Sequence, residues 1–376
     1  MNKSIVGVIM ASDIGNTFRE LTDIRSVSAI PVCGKYRAID FAVSNMANAN
    51  VTTVGVLIQH QFRSIMDHMG AGSDWDLDRR NGGLFLFPPV FTDMYHRGLY
   101  KGTGEALYSN IDFFKDCKHE WVMIAKGSTI YNQDYNDIFD FHTDCDADIT
   151  IGYRCMDDIS AEDLSTHTLI EVDEDNNLVN LEDRPARPRG NKALTGTVFM
   201  RKSLLIALLE ENASKNYTDF NKDILLRNIG RLKIKCHEFK GYWRTLNNLS
   251  CYYNTNMDML KPEIYEDLFR KENKIMTKVK DETPAKYTEN AEVKNSIVAD
   301  GCIIEGKVEN SILFRGVVVK KGTIIKNSVI MQGTEIGENC YIDYSVLDKS
   351  VIMGNDKQVQ GLPSRPYVIP KETIIR

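Results

Sequence analysis

The residues best suited to chemistry come early, where the strand-like run Ser4–Met10 gives way to Ser12-Asp13-Ile14-Gly15-Asn16-Thr17 and then to a helical pattern. A strand, a glycine-bearing loop and a helix are the parts of a phosphate cradle, because backbone N–H groups and a helix N-terminus attract anions. A lone glycine is also what an ordinary strand–loop turn uses, so Gly15 by itself leaves both readings open. Tyr100, Tyr108 and Trp243 are suited either to stacking on a ligand or to walling a cleft. Asp112 and Asp134 are acids on the same stretch of chain. The seven histidines show no metal-ligand pairing; His60 and His68, eight apart, are expected to be structural.

The elements that must position these residues follow from the apolar pattern. Ser4–Met10, Thr53–Ile58, Trp121–Ala125 and Ile149–Tyr153 are short, apolar and rich in β-branched residues, which predicts buried parallel strands. Phe41–Ala49 and Glu105–Lys115 between them carry helical spacing. Strand–helix alternation predicts an α/β sheet that binds ligands at the carboxyl ends of its strands. The acidic run Glu171–Asn177 reads as a solvated hairpin turn.

After about residue 260 the pattern changes. Lys261–Lys286 is charged, contains Pro262 and Pro284, and reads as a helix followed by a connector. Beyond it, Ile312, Val318, Ile324, Ile330, Ile336 and Ile342 stand six residues apart, and Asn295-Ser296-Ile297, Asn310-Ser311-Ile312, Asn327-Ser328-Val329 and Tyr344-Ser345-Val346 echo one another. A six-residue apolar beat is the pattern of a parallel β-helix, whose coils each point one aliphatic residue inward per face. The expected organisation is an α/β domain over 1–260, a helix and linker over 261–290, and a hexapeptide-repeat β-helix over 291–376.

Length and composition agree with this plan. At ~150 residues per domain, 376 residues predict two or three. With 43% hydrophobic and 26% charged residues the chain is neither disordered nor fibrous. A net charge of -6 argues against a nucleic-acid partner. No apolar run approaches the ~20 residues of a membrane span, and Met1–Ser4 leads into a strand with no secretion signal, so a cytoplasmic setting is expected. Eight cysteines without a C-x-x-C pair predict reduced thiols, with neither disulfides nor a zinc site.

Taken in order, Gly34-Lys35-Tyr36-Arg37-Ala38-Ile39-Asp40-Phe41, Ser44-Asn45, Tyr100-Lys101-Gly102-Thr103, Tyr108-Ser109-Asn110-Ile111-Asp112, Gly127-Ser128-Thr129-Ile130-Tyr131 with Asp134-Tyr135, and Gly241-Tyr242-Trp243-Arg244 resemble the glucose-1-phosphate adenylyltransferase family over essentially the whole chain. The resemblance implies a nucleotide-diphospho-sugar transferase (Rossmann-like) mixed α/β sheet, a C-terminal left-handed β-helix, a tetramer and a place in bacterial glycogen synthesis. It also implies a reaction: the phosphate of glucose 1-phosphate attacks the α-phosphorus of ATP, and diphosphate leaves. Such charged reactants need backbone amides, cations and a Mg²⁺ ion held by carboxylates.

At most of the chemical positions the sequence departs from the family pattern. Ser12 and Asp13 replace loop glycines while Gly15 survives, Thr17 replaces the loop arginine, and Val27-Ser28 replaces a Lys-Pro pair. Asp13 would set a negative charge beside a triphosphate; two like charges ~4 Å apart cost roughly 4 kcal/mol at an effective dielectric near 20. Ser128 and Thr245 stand where the family has its two metal-holding aspartates, and neutral hydroxyls do not hold Mg²⁺ as paired carboxylates do. In the sugar-phosphate segment Glu182-Asp183-Arg184-Pro185, Asp183 and Arg184 take the family's Glu and Lys positions, with Tyr100 as a residual contact. Arg184 keeps a charge able to grip phosphate.

The expectation is therefore a regulatory or structural chain without catalytic residues and without a metal of its own, resembling the D-type subunit of this family. Its partner would be a catalytic homologue, which alone would require Mg²⁺, in a hetero-oligomer of tetrameric size; self-association is the other arrangement. Lys35 and Arg37 are candidates for an anionic effector or phosphate site, or for ordinary ion pairs. Two alternatives compete: an active nucleotidyltransferase with an altered metal site, and a nucleotide-sugar sensor.

Overall fold

The computed structural model describes residues 4–11, 18–59, 61–88, 100–157, 159–269 and 272–376. By contacts the chain divides into two units, one built on Ile39–Thr245 with the first strand and residues 272–276, the other on residues 18–38, 246–269 and Thr277–Arg376. Among the described residues no helix is long and apolar enough to cross a membrane. All eight cysteines are free thiols.

The first unit holds a nine-stranded sheet: β1 (Ile5–Ala11), β2 (Thr53–Ile58), β3 (Gly83–Phe87), β4 (Trp121–Lys126), β5 (Ile149–Cys155), β6 (Thr168–Val172), β7 (Leu178–Asp183), β8 (Lys192–Arg201) and β9 (Ile234–Glu238). The order runs β7-β6-β8-β4-β1-β2-β3, with β5 paired to both β8 and β9. β1 lies between β2 and β4, parallel to both, and has apolar residues on each face, as a strand covered on two sides requires. β8 runs antiparallel to β4 and β5, so the sheet is mixed. β6 and β7 form the expected hairpin, its acidic turn closed by Asp173, which accepts from Asp175 N at 3.0 Å and Asn177 N at 2.7 Å. Val6, Val8, Val122, Ile124, Ile151, Val198 and Met200 build the core with Leu205 and Leu209 of the helix Lys202–Ser214.

One expected helix is in fact two. Glu105–Lys115 divides into Thr103–Tyr108 and Ile111–Asp116, with Ser109 and Asn110 between them. Asn110 Nδ2 donates to Ala106 O at 2.8 Å, a local side-chain bond that competes with continuation of the helix.

In the second unit, short parallel strands stack as three sheets of six, five and five, the arrangement of a left-handed hexapeptide β-helix. Here the expected inward column needs correction. Ile330, Ile336 and Ile342 are in the core, but at Ile312, Val318 and Ile324 the inward side chains are the next residues, Leu313, Val319 and Ile325. Partners across the middle coils are seventeen residues apart, as in Ile312↔Val329 and Ile324↔Tyr341. The inward series Leu313, Val319, Ile325, Ile330, Ile336, Ile342 and Leu347 therefore steps by six, six and five, and a strict six-residue count drifts out of phase at the short corner.

That corner is the Asn-Ser echo. Asn295, Asn310 and Asn327 have φ of 41°, 45° and 42°, left-handed values that asparagine tolerates. The serine that follows each sits under its successor: Ser296 Oγ accepts from Ser311 N, Ser311 Oγ from Ser328 N and Ser328 Oγ from Ser345 N, each at 3.1 Å. Their hydroxyls donate in turn to carbonyls two residues back, at 2.5 to 2.8 Å.

Residues 18–38 join these coils through a buried ion pair. Arg25 donates to both oxygens of Asp348, at 2.8 and 3.0 Å, and Asp348 also accepts from Lys349 N at 2.7 Å. Arg25 is 2% exposed and Asp348 0%, so neither charge has water to fall back on. Asp348→Asn should lower unfolding stability by about 3–5 kcal/mol in urea titrations, because Arg25 is left buried and unpaired. The double change Arg25→Met with Asp348→Leu should recover most of that loss; a deficit under about 1 kcal/mol in Asp348→Asn would refute the assignment.

Candidate functional site

The loop positions Ser12, Asp13, Gly15 and Thr17, with His60, lie outside the described residues. Val27 is buried in a single turn, Val27–Ala29, and belongs with Lys35 and Arg37 to the second unit. The remaining predicted positions all fall in the first unit and can be placed together.

Beyond the carboxyl end of β4 the chain turns at Gly127, whose N–H bonds Met10 O at 2.9 Å, and enters the short strand Thr129–Tyr131. That strand pairs antiparallel with Trp243–Thr245, setting Thr129 opposite Thr245 and Tyr131 opposite Trp243. The Oγ atoms of Thr129 and Thr245 are 3.4 Å apart. Ser128 is 1% exposed, Thr129 0% and Thr245 4%. Thr129 and Thr245 thus meet through their hydroxyls, and Ser128, one residue before Thr129, is buried as they are. Among the described residues no group of three or more His, Cys, Asp and Glu side chains is gathered that could hold a metal ion. A Mg²⁺ ion wants carboxylates in near-octahedral array. This donor set does not fit it.

The sugar-phosphate segment ends β7. Asp183 accepts from Thr168 Oγ1 at 2.8 Å and is approached by Arg184 Nε at 3.9 Å and Lys222 Nζ at 3.8 Å. Arg184 is exposed and takes a left-handed φ of 47°, with its backbone N–H bonded to His167 O at 3.1 Å. So the backbone of Arg184 is fixed while its guanidinium stays in water, where such pairs contribute little to stability. His167 is buried with its ring 5.3 Å from that of Trp243, which ties this segment to the Thr245 strand.

Tyr100 opens the Lys101-Gly102-Thr103 turn, its carbonyl accepting from Gln59 Nε2 at 2.8 Å and its hydroxyl from Asn110 at 3.3 Å. Gly102 is required there, since a Cβ would stand 2.3 Å from Thr218 O. Tyr108 is 40% exposed and Trp243 1%, so the aromatics divide between surface and core. Asp134 caps the helix Tyr135–Asp144 by accepting from Asn136 N at 2.9 Å, and His68 is buried against Asp40 at 2.5 Å.

In the second unit only one of the two candidate anion contacts joins a charged cluster. Lys35 is exposed, its ammonium 5.3 Å from the ring of Tyr36. Arg37 acts with Arg25 and Lys280 on Lys349, whose pKa is pushed down to about 7 by burial first and by these cations second. Arg37 and Arg315 likewise act on Lys280, and Arg315 Nε is buried without a hydrogen-bond partner. The sequence reading missed Lys280, Arg315 and Lys349, because five cations from four segments show no common spacing. It also missed His167.

Comparison with known proteins agrees with the two-part fold. Residues 6–262 match the family described as nucleotidyl transferase, and residues 282–362 match the GlmU-like C-terminal hexapeptide family. A glucose-1-phosphate adenylyltransferase of Bacillus mycoides (strain KBAB4) is 33% identical over 93% of this chain and 92% of its own length. One from Clostridium perfringens (strain SM101 / Type A) is 34% identical over 99% of this chain and 97% of its own.

Replacing Ser128 and Thr245 together by aspartate should therefore recreate a metal-seeking pair. In chelator the double variant should lose about 4 kcal/mol of stability through like-charge repulsion at a buried position. Mg²⁺ should restore most of it, read as a metal-dependent rise in melting temperature. A melting temperature indifferent to Mg²⁺ would show that the two positions do not converge on one ion.

Proposed function

We propose that this chain, which belongs to the glucose-1-phosphate adenylyltransferase family of nucleotidyl transferases, is a regulatory or structural subunit of that activity in glycogen synthesis. It modulates a catalytic homologue in a hetero-oligomer of tetrameric size and carries out little or no adenylyl transfer itself. The observation that carries the reading is that Ser128 and Thr245 are both buried hydroxyls, with Thr245 paired to Thr129, the neighbour of Ser128, at positions where the reaction needs carboxylates to place a metal ion. Mg²⁺ is then a requirement of the partner. The residues that keep the fold, such as Asp40, Gly102 and Trp243, are all in place, as expected of a chain selected for assembly.

Regulation needs a site whose occupancy changes an equilibrium, with different contacts in two states. The cluster of Arg25, Arg37, Lys280, Arg315 and Lys349 in the second unit is suited to an anionic effector. It presents five cations with Asp348 and Glu282 as the acids acting on Lys349 and Lys280. Bound phosphate would supply the missing negative charge. The sign of its pH dependence follows from Lys349. With a folded pKa of about 7 against ~10.4 for a free lysine, the unfolded chain holds a proton the folded chain lacks between those values. This group therefore destabilises the fold increasingly as pH falls from about 10 to 7, and no further below.

Two measurements test the reading. The purified chain, given ATP, glucose 1-phosphate and Mg²⁺, should form ADP-glucose at least about a thousandfold more slowly than a catalytic homologue. Co-expressed with that homologue it should form a mixed oligomer and change the homologue's turnover or effector response; strict self-association with no kinetic effect would sink the proposal. Separately, Lys349→Met should be more stable than the parent at pH 7 and show a flatter stability curve from pH 7 to 10. Inorganic phosphate should stabilise the parent more than this variant, and equal stabilisation would remove Lys349 from the effector site.

A further inference from the structure

The last coil of the second unit breaks the count that the middle coils keep. Tyr341 pairs with Gln358, seventeen residues on, but Val346 pairs with Val368, twenty-two on, so five extra residues enter at one corner. Backbone bonds fix their place. Gly361 N–H donates to Asp343 O at 2.9 Å and Tyr367 N–H to Tyr344 O at 3.0 Å, so the chain leaves and rejoins the stack over two adjacent residues. A Cβ at Gly361 would stand 2.2 Å from Tyr344 O and 2.5 Å from Tyr367 N, which makes glycine necessary at the exit. Between these points Leu362–Pro366 forms a loop closed on itself: Leu362 N–H donates to Arg365 O at 3.1 Å, and Arg365 N–H to Leu362 O at 3.0 Å.

The coil does not need this loop, since the corners at Asn295, Asn310, Asn327 and Tyr344 turn without it. Insertions into a repeat gather on one face, often the binding face. Pro363 and Pro366 fix two φ angles of the loop, which leaves less conformational entropy to lose on binding. Its first residue is apolar: Leu362 is 62% exposed, and Tyr367 at the re-entry point 56%. Arg365 is exposed and has no carboxylate partner among the described residues. Asp343, under Gly361, is buried and already accepts from Asn327 Nδ2 at 2.9 Å and from the Tyr341 hydroxyl at 3.3 Å. Glu372, the one acid from Lys357 to Ile375, pairs with Lys371 at 2.8 Å. The loop thus offers two apolar side chains and an unanswered cation.

Resting on the reading of this chain as a subunit, and deepening it, we propose that Leu362–Tyr367 is the surface by which it recognises its catalytic homologue. The complementary site is an apolar recess with an acidic rim. Leu362 and Tyr367 fill the recess, and Arg365 meets a carboxylate at its edge. A second copy of this chain is the poorer partner. A twofold contact centred on the loop would bring each Arg365 against its counterpart, and like charges across an interface repel. The loop therefore favours mixed pairing over self-pairing.

The test is titration of the full chain with the purified catalytic homologue, read as the dissociation constant of the mixed oligomer, with the size of the chain alone measured in parallel. Leu362→Asp should weaken the mixed oligomer by about thirtyfold or more and Arg365→Glu by about tenfold or more, while Arg365→Lys should stay within about threefold. Deleting Leu362–Pro366 restores a seventeen-residue coil, so that variant should keep the parent's melting temperature and lose the mixed oligomer. The two charge-introducing variants, both at exposed positions, carry the test if the deletion does not fold. Parent-like affinity in both would overturn the proposal, as would a chain that self-associates and loses that self-association in the same variants. A parent that forms no mixed oligomer would end the subunit reading and this inference with it, whereas a parent and variants that mix equally well would end this inference alone.

Discussion

A carboxylate with no solvent around it has to find a cation, and Asp348 finds Arg25 from more than three hundred residues away in sequence. That necessity organises the second unit. It holds residues 18–38 on the coils, where Gly34, with φ of +82°, packs over Ile297 and Ile312. Cys33 N–H bonds Asn256 Oδ1 at 3.0 Å, and the Tyr252 hydroxyl bonds Pro31 O at 2.9 Å, so the helix Leu249–Asp258 is locked into the same assembly. Desolvation makes the pair unforgiving. A surface bridge in its place would tolerate slippage; this one does not.

Much of the fold could be read from the chain because the relevant signals are local. β1, β2, β4 and β5 were evident as short apolar runs, and the coils as a repeat. What escaped depended on counting or on distance. The six-residue beat was real, but the five-residue corner at each Asn-Ser step cannot be separated from it until the serine ladder shows where the backbone turns. The division at Asn110 turns on one side-chain amide bonding back to Ala106, which helical periodicity does not register.

The candidate site divides along the same line. Ser128 and Thr245 were found as departures from a family pattern, and what the structure adds is a three-residue strand pair that sets Thr129, the neighbour of Ser128, against Thr245, positions 116 apart. His167 and the Lys349 cluster were invisible because they are ordinary residues singly, made unusual by what lies beside them in space. A net charge of -6 concealed them as well, since a whole-chain sum averages a cationic pocket against an acidic surface. The chemistry of this protein is therefore written more in local charge than in composition.

The short corner of the coils has one more implication. Each turn of the stack uses seventeen residues in its middle part and advances the axis by one strand spacing, ~4.8 Å. Because every coil touches only its neighbours, the stack can gain or lose a turn without rewriting the others. It is a ruler with fixed graduations, and any surface carried at its far end can be moved along the axis only in whole steps.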